Sequence, residues 1–63
     1  MNHLEFQVGQ IVKHRVNGIR ILIICPAENL ISRGYVGRYY IDGIGENVGF
    51  HTDNFYEFEL EEE

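Results

Sequence analysis

The sequence has little of what small proteins use to cross-link their chains. Its 63 residues include one cysteine, one proline and no tryptophan. A single cysteine excludes an internal disulfide, and Cys25 with the three histidines lacks the paired spacing of a structural zinc site. We therefore expect neither a metal nor a cofactor. For a chain of this size, burial of apolar surface stabilises the folded state by about 100 kcal/mol, and the entropy lost on ordering the chain costs about 95 kcal/mol. Because these two terms nearly cancel, the small core needs most of the apolar residues.

Long hydrophobic runs are also absent. The longest uninterrupted apolar run covers Ile21 to Cys25, whereas about 20 residues are needed to span a membrane. The first five residues lack the basic and apolar regions of a secretory signal. These absences predict a cytoplasmic protein that has no membrane partner.

Hydroxyl nucleophiles are scarce, since the chain has one serine, Ser32, and one threonine, Thr52. His51 and Asp53 are two residues apart, so they would share one face of a strand and could act as acid and base. No further residue completes a catalytic site around them, and a structural or solvated role is far more common for such a pair. We expect a protein that is not an enzyme.

Basic residues are absent from the last third of the chain. Residues 41–63 contain eight acidic and no basic residues, whereas residues 1–40 contain five basic and two acidic ones. The formal net charge of −5 repels a phosphate backbone on average. A local basic patch could still attract nucleic acid, and its candidate members are Lys13, Arg15, Arg20 and Arg38.

Strand patterns dominate what is present. Alternating or β-branched residues predict five strands, over residues 11–16, 19–24, 35–41, 48–52 and 58–61. Asn17-Gly18 predicts a tight hairpin turn, and residues 42–47 a second one. Residues 53–56 predict a short turn or 3-10 turn before the last strand. Gly37, inside an aromatic strand, indicates a bend or bulge at a barrel corner. We expect one all-β domain over residues 1–63, with an acidic tail at 61–63, in which five short strands close into a small barrel.

Residues 6–12 (FQVGQIV), followed by a strand and a hairpin, resemble the opening of small SH3-like barrels of the Tudor and KOW kind. More narrowly, residues 38–43 (RYYIDG) and 55–61 (FYEFELE) resemble the closing pattern of the short, uncharacterised YodC-like proteins of bacteria and mobile elements. The resemblance implies an SH3-like barrel. Tudor-like relatives use outward-facing aromatic residues to bind cationic or extended peptide ligands. The resemblance therefore also implies that Tyr40, Phe50 and Tyr56 bind a partner.

The second strand is apolar on both faces. Ile19, Ile21 and Ile23 form one stripe, while Leu22 and Ile24 form the other. Since one face of a small barrel lies inward, the other face needs a cover. Leu22 and Ile24 lie either beneath the loop of residues 26–33 or against a second copy of the chain.

Together these patterns favour a non-catalytic interaction module. Its protein partner would bind an aromatic and apolar surface made of Tyr40, Phe50, Tyr56, Leu22 and Ile24. The alternative is a nucleic-acid-associated, KOW-like module that uses the four basic residues named above.

Overall fold

The computed structural model describes residues 6–28 and 33–63. The described residues form five strands and one 3-10 helix: β1 (Ile11–His14), β2 (Arg20–Pro26), β3 (Gly34–Ile41), β4 (Gly49–Tyr56), the 3-10 helix (Glu57–Glu59) and β5 (Leu60–Glu62). The prediction of an all-β chain with five strands and a 3-10 turn before the last strand is confirmed.

All neighbouring strands are antiparallel and belong to one open sheet of order β4-β3-β2-β1-β5. β1 pairs on one side with β2, where Val12 lies opposite Ile21, and on the other side with β5, where Val12 lies opposite Glu62. β4 and β5 are therefore the two edges of the sheet. β2 lies in its centre.

The core lies on one face of this sheet. Its buried members come from the lead-in segment, residues 6–10 before β1, and from four of the strands: Phe6, Val12, Ile21, Ile23, Tyr35 and Leu60. The fully buried Tyr35 also has a polar role, because its hydroxyl donates to Glu57 Oε2 at 2.6 Å and accepts from the Phe6 backbone N–H at 3.1 Å. The lead-in, β3 and the 3-10 helix are thereby joined.

The β1–β2 hairpin differs in detail from the expected two-residue turn. β1 ends at His14 and β2 begins at Arg20, so five residues, 15–19, connect the two strands. The His14 carbonyl accepts from the Gly18 N–H at 2.9 Å, and Gly18 has a φ of +74°. Asn17 keeps a negative φ and its side chain accepts from the Ile19 N–H at 2.9 Å. The Asn-Gly signal marked the hairpin, but only its glycine adopts the left-handed conformation.

The fourth strand is longer than expected, because it runs to Tyr56 where a turn over residues 53–56 was predicted. Eight successive residue pairs hold it against β3, and the next residue, Glu57, still donates its N–H to the Arg33 carbonyl at 3.0 Å. Asp53 therefore lies within the strand, where its side chain accepts from the Tyr39 hydroxyl. The 3-10 turn begins at Glu57, four residues later than the strand pattern predicted.

A register shift lies in β2 between Ile23 and Cys25, opposite Gly37 and Val36 of β3. Ile24 is the extra residue. The bulge predicted within the third strand at Gly37 therefore lies instead in β2, opposite Gly37 and Val36, while the pairing of Gly37 with β4 is regular. The loop proposed as a cover for Leu22 and Ile24 falls partly on residues 29–32, outside the described residues.

Candidate functional site

The outer face of the sheet, opposite the core, carries a group of exposed apolar side chains. Strand alternation turns Ile21 and Ile23 inward, so that the intervening residues of β2 point outward. The same alternation on β3 and β4 exposes Tyr40 and Phe50, which keep 49% and 65% of their surface accessible. The outer face therefore presents two large aromatic residues near the centre of the sheet and near its β4 edge.

Tyr40 and Phe50 lie directly opposite each other on β3 and β4. Their rings meet edge to face, with centroids 5.0 Å apart and planes at 67°. The Arg38 guanidinium lies over the Phe50 ring, 4.7 Å from its centroid, in the geometry of a cation–π contact. These three residues form the centre of the candidate site.

Strand register extends this centre across the sheet. Ile11 of β1 lies opposite Leu22 of β2, and Leu22 lies opposite Arg38 of β3. We define the outer patch as Ile11, Leu22, Arg38, Tyr40 and Phe50. A shallow groove of about 180 Å³ runs between these side chains, bordered also by Arg20. The result is a continuous apolar surface with one cation set among its aromatic rings.

Four of the five residues predicted to bind a partner, Leu22, Ile24, Tyr40 and Phe50, lie exposed on this outer face. Ile24 sits at the register shift, next to the outer patch. Tyr56 does not join them. It lies six residues from Phe50 along β4, about 20 Å away at strand spacing, and stacks on Phe58 with centroids 5.1 Å apart.

Ile11 is a member that sequence reasoning missed. The signal was available in the alternation of Ile11 and Lys13 with the buried Val12, but only the pairing with Leu22 shows that Ile11 extends the patch. Arg38 was predicted as a phosphate ligand, and the structure places it on the Phe50 ring. Within residues 6–28 and 33–63, no salt bridge involves it, so its charge faces the groove without a carboxylate partner.

The other three basic candidates lie against the acidic end of the chain. Lys13 Nζ is 3.3 Å from Glu61 Oε2, Arg15 Nε donates to the Leu60 carbonyl at 3.1 Å, and Arg20 Nη2 donates to Glu63 Oε1 at 2.9 Å. The hydrogen bonds with Glu63, and then its negative charge, raise the pKa of Arg20. The positive charge of these residues is thus offset by the carboxylates of Glu61 and Glu63 at the acidic end of the chain.

The His51–Asp53 pair considered for acid–base chemistry is engaged elsewhere. His51 donates its Nε2–H to the Asn47 carbonyl at 2.7 Å, and its ring stacks on Tyr39 with centroids 5.6 Å apart. Asp53 accepts from the Tyr39 hydroxyl, and this hydrogen bond, followed by partial burial and the carboxylate charge, raises the pKa of Tyr39. Both side chains therefore contact Tyr39, His51 by ring stacking and Asp53 by the hydrogen bond to its hydroxyl.

Among the described residues, no group of three or more histidine, cysteine, aspartate or glutamate side chains is placed to hold a metal ion. Over the same residues, the structure contains no helix with the length and apolar character needed to cross a membrane. No family model, curated protein or solved structure matches this chain.

Proposed function

We propose that this chain is a non-catalytic interaction module with an SH3-like architecture, and that a protein partner binds its outer patch. The observation that carries the proposal is the exposed Tyr40–Phe50 pair with Arg38 lying on the Phe50 ring. Tyrosine and arginine are among the residue types that contribute most binding energy at protein interfaces, particularly where neighbouring apolar groups exclude water.

The surroundings of Arg38 suit a protein ligand. An exposed cation–π contact is worth about 0.5–1 kcal/mol, and it strengthens when a partner removes water from it. Leu22 and Ile11 supply apolar surface beside the contact. A partner that covers the groove with an apolar side chain and offers an acceptor to Arg38 would satisfy both parts of the surface.

Support for the SH3-like architecture comes from connectivity. The first strand lies between the second and the fifth, the central strands follow one another as hairpins, and a 3-10 turn precedes the last strand. This order agrees with the resemblance of residues 6–12 to Tudor-like and KOW-like barrels and of residues 38–43 and 55–61 to YodC-like proteins. The barrel of this proposal is partly open: the sheet curves around the core, and β4 and β5 remain its two edges.

Protein is favoured over nucleic acid because of β5. Three of the four basic candidates have an acidic or carbonyl partner from residues 60–63, so few cations are left to meet phosphates. Arg38 alone would contribute little of the counterion release that drives nucleic-acid binding.

A matched pair of aromatic substitutions tests the site. Phe50 and Phe58 are almost equally exposed, at 65% and 69%, but Phe58 belongs to the separate pair with Tyr56. Wild-type chain, Phe50→Ser and Phe58→Ser would be immobilised at equal density and exposed to extract of the native host, with bound proteins quantified by mass spectrometry. We expect a partner that Phe58→Ser retains and Phe50→Ser loses. Retention by Phe50→Ser would refute the outer patch.

The same experiment separates two versions of the partner. If the bound protein is a second copy of the chain held through Leu22 and Ile24, the captured species is the chain itself. Replacing both residues with threonine, which keeps β propensity, would then abolish capture. At the outer patch we expect a different protein, because a two-fold contact centred there brings two Arg38 side chains together. A second copy held through any other surface would still be captured after the two threonine substitutions.

A further inference from the structure

β4 is an edge strand and, with β3, one of the two longest strands of the sheet. It runs for eight residues, Gly49–Tyr56, and pairs with β3 along its whole length. The sheet order places no strand of the described residues on its other side. An unpaired strand edge presents a row of backbone donors and acceptors that can accept a further strand.

The direction of these backbone groups follows from one hydrogen bond. Glu57 donates its N–H to the Arg33 carbonyl directly opposite, so residues 33 and 57 form a hydrogen-bonded pair. Hydrogen-bonded and non-hydrogen-bonded pairs alternate in an antiparallel ladder. Odd-numbered residues of β4 therefore bond to β3, and Phe50, Thr52 and Asn54 direct their N–H and C=O groups to the free edge.

We propose that this edge pairs with the β4 edge of a second copy of the chain, antiparallel and centred on Thr52. In this register Thr52 lies opposite Thr52 of the second copy, and Phe50 lies opposite Asn54 of the second copy. About six backbone hydrogen bonds form, because all three outward-directed residues of each copy become paired. The two sheets join into one.

Charge selects the register. With Thr52 at the centre, His51 lies opposite Asp53 of the second copy, so neither carboxylate faces another carboxylate. Moving the centre to Asp53 keeps the hydrogen-bonding parity of the β4 backbone but places two carboxylates directly opposite each other, which is destabilising. Moving it to His51 places two imidazoles face to face and shortens the overlap.

The other edge of the sheet does not offer the same contact. β5 has three residues, Leu60–Glu62, and two of them are glutamates. Self-pairing there would form few hydrogen bonds and would juxtapose like charges. We therefore place the contact with the second copy at β4 and not at β5.

The joined sheet has a consequence for binding. The faces of the two sheets are continuous after antiparallel pairing, so both outer patches lie on the same side, with one Phe50 on each side of the two-fold axis. A partner with two matching segments would then gain from the second contact as an intramolecular event.

Sedimentation velocity of the full chain, from low micromolar to near-millimolar concentration, tests the pairing. We expect the wild-type chain to reach the mass of a dimer. Thr52→Pro removes an N–H that points away from β3, so the monomer should keep its fold. It should raise the dimer dissociation constant at least about tenfold, since the bonds on the two-fold axis are lost. Thr52→Val, which keeps the N–H and the branched side chain, is the matched control and should remain dimeric.

A cross-linking measurement tests the same pairing without the proline variant, which could lose the dimer simply by misfolding. In a Cys25→Ser background, Thr52→Cys places two thiols across the axis on Cα atoms about 5.5 Å apart, within disulfide range. We expect an oxidised dimer from this variant and none from Glu46→Cys in the loop before β4. A wild-type chain that stays monomeric at every concentration, or equal cross-linking of both cysteine variants, would overturn the proposal. Because neither measurement uses a foreign partner, these outcomes are independent of the binding proposed for the outer patch.

Discussion

Gly37 of β3 packs directly against Ile21 of β2. A β-carbon on Gly37 would overlap the Ile21 Cγ2 methyl and would lie 3.1 Å from Phe55 Cδ2. The strand carries a glycine at this inward position because two core side chains occupy the space that any other residue would need. The packing of β2 and β4 onto β3 thus depends on the missing side chain.

Gly37→Ala should destabilise the protein by roughly 1–3 kcal/mol, the usual cost of forcing an extra carbon into a packed core. Urea denaturation would measure the loss. Ile21→Ala removes the methyl that is in the way, so the Gly37→Ala change should cost less in that background than in the wild-type background. Equal costs in the two backgrounds would show that the contact does not limit the packing.

Gly18→Val should also destabilise the chain, by about 1 kcal/mol or more, because Gly18 adopts a φ of +74° that a β-branched residue tolerates poorly. Gly18→Asn is the control, since asparagine accepts the left-handed conformation more readily. The expected order of denaturation midpoints is wild type, then Gly18→Asn, then Gly18→Val. Equal midpoints for the two variants would contradict the hairpin geometry.

The Tyr39–Asp53 hydrogen bond predicts a loss of stability at alkaline pH. It raises the pKa of Tyr39 above the ordinary value near 10. The folded pKa therefore exceeds the unfolded one, so the contribution is complete below pH 10 and disappears as pH rises through the folded value. Denaturation midpoints measured across this range should fall. Asp53→Ala should remove this dependence, whereas Asp42→Ala in the exposed loop should keep it.

Nucleic-acid binding should be weak and should depend on the acidic end of the chain. Fluorescence titration with generic RNA and DNA at low salt should detect no binding by the wild-type chain, because Glu61 and Glu63 engage Lys13 and Arg20. Glu61→Gln with Glu63→Gln should release these cations and produce binding that weakens as salt is added. Salt-sensitive binding by the wild-type chain would support the KOW-like alternative.

Local patterns predicted the strands and the inward stripe of β2, because alternation and β-branched residues reflect which face of a strand is buried. The same patterns gave wrong strand ends where pairing with a distant strand determines the backbone conformation. β4 runs through Asp53 and Asn54, which favour turns, because eight successive pairs with β3 hold it extended. The sequence likewise contains nothing that pairs Glu61 with Lys13, residues that β5 brings together from distant parts of the chain.

In the candidate site too, local patterns predicted some features, and others depend on how the strands pair. Exposure of Tyr40 and Leu22 could be inferred from the excess of apolar residues over the space in one small core. The contact of Arg38 with Phe50 could not, since it requires the register of β3 on β4. Separation of Tyr56 from Phe50 likewise follows from the unexpected length of β4.

Chemical-shift mapping tests the central claim most directly. The isotope-labelled chain would be titrated with the partner that Phe58→Ser retains, and the amide and aromatic signals that move would be placed on the structure. We expect the largest changes at Leu22, Arg38, Tyr40 and Phe50, with the Tyr56 and Phe58 signals nearly unmoved. Changes centred on Tyr56 and Phe58, with a silent outer patch, would contradict the account.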